Sequence, residues 1–253
     1  SSVVMLIAAY TEDLMFAEDE EILSPYDVFL TINKLPQKPT EIESDLDYSR
    51  QLLEEITTLK NNGKLKYVTK NPNTQDGKFR FHSQPFKFTE KELRGLEVFF
   101  NQDSEDKIGT GNCIACHPAP HFTDFSLHNV GVTQIEYDNI HGIGAFSRLK
   151  IPGLKERNQN KDLFLPANEK HPNRKGIFRK AALEGSPILT DLGAWNIFQN
   201  EDYPLPQKSI HNLICIKDKV NKCTSDDEAL KRSIATFKTP GLRDLGHSAP
   251  FLH

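Results

Sequence analysis

Three residues carry the most readable chemistry in this sequence: Cys113, Cys116 and His117, a C-x-x-C followed directly by histidine. Two thiols at that spacing can add across the two vinyl groups of a porphyrin, and the adjoining imidazole reaches the iron from the same turn of chain. The motif predicts one covalently attached heme c with His117 as an axial iron ligand. Zinc is the main rival, but a structural zinc site asks for four ligands, and a second pair at matching spacing is missing. A thioredoxin-like dithiol would need a βαβ context, which this helix-and-loop pattern does not offer. Covalent heme attachment also implies maturation outside the cytoplasm, in the periplasm or an equivalent space.

The remaining cysteines, Cys215 and Cys223, lie in a Lys-rich stretch. They are either a disulfide of an oxidising compartment or two thiols, and sequence spacing leaves both open. Nine histidines are present. His128 is expected to be a structural hydrogen-bonder, and His121, His141, His171 and His211 fall in turn-rich sequence. His247 and His253 are the candidates for the far side of the iron, because a neutral imidazole can ligate it. Met5 and Met15 lie on an apolar helical face, where methionine is core filler.

The elements that must position the motif are helical. Apolar spacing predicts a buried helix up to about residue 17. The opening SSVVMLIAAY lacks the basic start and small-residue cleavage site of a signal peptide. A loop with Pro25, Pro36 and Pro39 follows. A second helix carries Tyr48, Leu52, Leu53, Ile56 and Leu59 and stops at Gly63. Residues 65–88 support a small hairpin or ordered loop. Thr89 and Glu92 then form a capping box for a third helix, which ends near Asn101 and leads to the motif. Residues 118–175 read as long loop, with short helices expected over 178–183 and 226–236. The fold expected is mainly α, a cytochrome c-like helical heme domain with long irregular loops. Residues 1–88 form an N-terminal helical segment and residues 89–253 the heme domain.

With 253 residues, a net charge of -4 and a pI near 6.1, the chain lacks the basic footprint of a nucleic-acid binder. No apolar run approaches the roughly 20 residues that a membrane-spanning helix needs. The acidic run Glu18 to Glu21 reads as solvated charge rather than a metal site.

After the motif the chain reads PAPHFTDFSLHNVG from Pro118 to Gly131, and it closes with FKTPGLRDLGHSAPFLH from Phe237 to His253. Phe122, Thr123 and Asp124, then His128, Asn129 and Gly131, then Phe237, Lys238, Pro240, Leu242 and Arg243, then Pro250, Phe251 and His253 form a pattern. It resembles the C-terminal heme domain of bacterial diheme cytochrome c peroxidases and their MauG-type relatives. The helix with Gly95, Phe99 and Phe100 also looks like the one leading into that domain's heme.

The resemblance implies an oxidoreductase that reduces hydrogen peroxide with electrons from a small redox protein, a cytochrome or a copper protein. The heme on His117 would be its electron-accepting site. Lys238 and Arg243 are then candidates to pair with a heme propionate, and Ser248 and Pro250 to offer backbone oxygens to a calcium ion. The family carries two heme motifs, whereas this sequence has one, and Trp195 lies in the wrong half to be the family's bridging tryptophan. The resemblance therefore predicts a part of a longer diheme enzyme, with a second heme domain as partner. The alternative is a monoheme electron carrier or redox sensor without peroxidase activity. A variant that oxidises a partner protein, as in the MauG-type branch, would need a tyrosine or similar ligand on this heme.

Overall fold

The structure is a computed structural model describing residues 24–79, 83–101, 112–204, 207–215 and 222–243. The expected N-terminal helix, with Met5 and Met15, lies outside the described residues. The chain is mainly helical. It divides into two compact units, residues 1–124 with 240–253, and residues 125–239.

The first unit is built on three helices. Helix α1 (Pro25–Ile32) occupies sequence expected to be loop. Its Pro25 falls in the first turn, where a missing N–H leaves no helical bond unmade. Ser24 caps it: the Asp27 N–H donates to Ser24 Oγ at 3.2 Å and the Ser24 N–H to Asp27 Oδ2 at 3.1 Å. Helix α2 (Asp45–Asn61) follows the predicted stripe, burying Tyr48, Ser49, Leu52 and Ile56, with Ser44 as its cap. Helix α3 (Glu90–Phe100) begins at the predicted capping box, where the Thr89 N–H donates to Glu92 at 2.9 Å. Leu93, Leu96 and Phe100 are its buried face.

Between α2 and α3 the expected hairpin reduces to a single antiparallel bridge joining Val68 to Phe88. One hydrophobic cluster holds Phe29, Leu52, Ile56, Phe88, Leu93, Phe100 and Ile114. The division expected at residue 88 therefore falls inside a continuous core.

The second unit departs more from expectation. The stretch expected as loop contains α4 (Val132–His141), α5 (Ala145–Arg148), α6 (Leu154–Gln159) and α7 (Lys161–Phe164). These helices are short, and α4 buries only Thr133 and Tyr137, one turn apart. Helices α8 (Gln207–Cys215) and α9 (Asp226–Arg232) follow. The helix expected over 178–183 is absent. The Phe178 carbonyl instead accepts from the Leu192 N–H at 3.0 Å and from Asn196 Nδ2 at 2.6 Å, so tertiary bonds replace the helical one.

Strand β1 (Leu127–His128) pairs antiparallel with β2 (Phe237–Lys238), with Leu127 opposite Lys238 and His128 opposite Phe237. The core of this unit gathers Phe164, Phe178, Leu192, Trp195, Phe198 and Leu230. Gly193 has a positive φ of 58°, and a Cβ there would lie 2.1 Å from the Thr236 carbonyl oxygen. That approach lets the Ala194 N–H donate to Thr236 at 2.8 Å, and only glycine permits it.

Candidate functional site

Cys113–Ala115 form a single 3₁₀ turn, and the His117 N–H closes onto the Cys113 carbonyl at 2.8 Å. The turn brings both thiols and the imidazole to one short stretch of backbone. Ile114 is fully buried between the cysteines, and the turn packs on both α2 and α3, which anchors it. Cys113, Cys116 and His117 are half-buried, and the two thiols are not joined in a disulfide.

His117 Nδ1 lies 2.8 Å from the carbonyl oxygen of Phe122. A carbonyl can only accept, so Nδ1 carries the proton and the lone pair of the neutral ring falls on Nε2. A hydrogen bond at the far ring nitrogen fixes the tautomer and orientation of a metal-ligating histidine. Phe122 takes the left-handed backbone region at φ 54°. Its ring is 5.5 Å from that of Tyr26, 5.9 Å from Phe99 and 6.2 Å from Phe100, giving an apolar backing to the loop. The Tyr26 hydroxyl is buried with no hydrogen-bond partner among the described residues, and burial pushes its pKa well up. The donor set thus fits a covalently held heme: two thiols, one oriented imidazole and an aromatic wall.

Other residues singled out in the sequence fall in different surroundings. Arg243 belongs to the first unit, where both terminal nitrogens reach Asp27 Oδ1, at 3.1 and 2.6 Å. Its guanidinium thus has a carboxylate partner within the protein. Lys238 belongs to the second unit, on β2, with Nζ 5.4 Å from the centre of the Phe125 ring. His128 is in β1 of the same unit. His247, Ser248, Pro250 and His253 lie outside the described residues.

Cys215 and Cys223 form a disulfide, which settles the choice that spacing left open. Among the described residues His171, Glu201 and Asp202 place ligand-type atoms within 4.8 Å of one another. Arg174 is ion-paired to both carboxylates, and Lys161 Nζ reaches Glu201 at 2.7 Å, so the negative charge is already met by cations. An open groove of ≈ 780 Å³ lined by Lys34, Asp47, Arg50 and Glu54 includes none of the motif residues.

Two participants escaped the sequence. One is the Phe122 carbonyl, a backbone group with no residue-type signal. The other is Ser49, whose Oγ accepts the Ala119 N–H at 2.8 Å. Its only trace in the sequence is a small polar residue at helical spacing from Leu52 and Ile56, on the face that becomes buried.

No protein-family model matches the chain. No curated protein and no solved structure matches it either. Among the described residues no helix is long and apolar enough to cross a membrane.

Proposed function

We propose that this chain binds one heme c through Cys113 and Cys116 with His117 on the iron. In this reading it is the cytochrome c-like heme domain of a peroxidase-type oxidoreductase of the diheme cytochrome c peroxidase and MauG-type family. The observation that carries the reading is the meeting of two half-buried thiols with an imidazole whose Nδ1 is committed to the Phe122 carbonyl. That arrangement leaves Nε2 for iron. When bound, the heme supplies one-electron redox chemistry at a potential set by its axial ligands and their hydrogen bonds.

The chain's own residues attach, orient and enclose. The 3₁₀ turn presents the sulfurs, Phe122 orients His117, and Phe99, Phe100 and Tyr26 shield the loop from water. The function is the reduction of hydrogen peroxide with electrons from a small redox protein, completed by a second heme domain. The Cys215–Cys223 disulfide supports a periplasmic or other oxidising location. The single C-x-x-C-H favours the second reading, a monoheme carrier or sensor.

The experiment supplies peroxide and a reduced donor to the full-length protein. Donor oxidation above a heme-only control is expected, and its absence removes the peroxidase reading. Two hemes per full-length chain, measured by pyridine hemochrome, would remove the monoheme one.

A further inference from the structure

We propose that Ser49, on α2, is a positioning residue for His117: by holding the loop between His117 and Phe122 it sets the strength of the hydrogen bond on Nδ1, and through it the reduction potential. This rests on the heme reading above and extends it to a helix that carries none of the motif.

Pro118 and Pro120 have no backbone N–H, so Ala119 is the one backbone donor between His117 and His121. That donor is taken by Ser49 Oγ at 2.8 Å, while the same hydroxyl donates to the Asp45 carbonyl at 2.7 Å. Ser49 and Ala119 are both 0 % exposed. The hydroxyl is thus fixed as donor along its own helix, and its lone pair is aimed at the loop.

Beyond Ala119 the chain must reach Phe122 in a left-handed conformation, φ 54°, which is strained for a residue with a Cβ. The tether supports that geometry from one side, and the Asp124 N–H to Cys116 carbonyl bond, 2.9 Å, supports it from the other. Without Ser49 the buried Ala119 N–H is left unpaired, which drives the loop to shift. A shifted Phe122 carbonyl accepts less well from Nδ1, so the imidazole becomes a weaker donor and the ferric state loses support.

The test uses the heme-loaded chain, with attachment checked by intact mass, and compares Ser49→Ala, Ser49→Thr and Ser49→Cys. Two quantities are read: the midpoint potential and the hydrogen-exchange rate of the His117 Nδ1 proton. Ser49→Ala is expected to favour the ferrous state by about threefold to tenfold, the upper figure being about 59 mV for one electron, with faster Nδ1 exchange. Ser49→Thr keeps an oxygen acceptor and is expected to match the parent.

A Ser49→Ala protein that melts lower yet keeps the parent's potential and exchange rate would show a merely structural serine and overturn the proposal. Should Ser49→Ala fail to fold, Ser49→Cys decides, since a thiol is a weak acceptor. A partial upward shift supports the proposal and an unchanged potential overturns it. A parent chain whose mass shows no attached heme overturns the heme reading and this inference with it, and the mass alone tells that failure from the others.

Discussion

The imidazole of His117 is tied at Nδ1 to the carbonyl oxygen of Phe122, five residues further along, at 2.8 Å. The bond spans a loop with two prolines and orients the ring without any side chain acting as acceptor. It leaves the lone pair of the neutral ring on Nε2, the atom proposed to meet the iron, and the proposal is tested by removing the ring. His117→Ala is expected to lose the imidazole-bound optical spectrum and to regain it on adding free imidazole. A variant with the parent's spectrum and no response to imidazole would place the ligand elsewhere.

The capping box at α3 has a pH signature. The hydroxyl of Thr89, followed by its backbone N–H, holds the Glu92 carboxyl down at about 2, from an ordinary value of 4.5. Because the folded-state value is the lower one, this stabilisation is complete above about 4.5 and is lost as the pH falls towards about 2. Glu92→Gln retains the reach of the cap without the charge. Urea midpoints measured down to acid pH should fall more for the parent than for Glu92→Gln, and parallel curves would contradict the account. At neutral pH, Glu92→Ala is expected to cost about 1 kcal/mol.

Arg157 on α6 is wholly buried, with its guanidinium donating to the Trp195 carbonyl at 2.6 Å and the Gln199 carbonyl at 3.1 Å. It also lies 5.1 Å from the centre of the Trp195 ring, and burial lowers its pKa to about 10. Arg157→Met keeps much of the side-chain volume but leaves both carbonyls unpaired. Stability of residues 125–239 should drop by about 2–4 kcal/mol. Trp195 is the only tryptophan, so its fluorescence during denaturation reports the change directly. A loss below about 0.5 kcal/mol, the scale of an ordinary surface substitution, would contradict this role.

The helices legible in the sequence are α2, α3 and α9, the last expected over 226–236 and found at Asp226–Arg232. Tyr48, Leu52 and Ile56 marked α2, and Thr89 with Glu92 marked the start of α3. Helix α1 was hidden because Pro25 reads as a breaker unless Ser24 and Asp27 are recognised as its cap. The four short helices from Val132 to Phe164 were hidden for another reason. Helices α5, α6 and α7 have only 4 to 6 residues, too few turns to establish a period, and α4 buries only Thr133 and Tyr137, with the Tyr137 hydroxyl held by the Pro187 carbonyl at 2.5 Å. At the site, residue types announced Cys113, Cys116 and His117. The Phe122 carbonyl and Ser49 act through position, which composition does not encode.

The disulfide between Cys215 and Cys223 joins the end of α8 to the segment before α9 across a sequence separation of 8. A short closed loop of this size is expected to contribute roughly 2–3 kcal/mol. Replacing both cysteines by serine should lower the urea midpoint followed by Trp195 fluorescence, and the parent should fall to the same midpoint on adding reductant. A parent that is indifferent to reductant would show that this bond carries no stability.

Covalent attachment at Cys113 and Cys116 is decided by intact-mass spectrometry of the chain matured in a host that attaches heme. The expected result is a mass greater by one heme, carried on the peptide containing Cys113–His117, and abolished by the double substitution Cys113→Ala with Cys116→Ala. A chain at its bare polypeptide mass, with both thiols open to alkylation after such maturation, would contradict it.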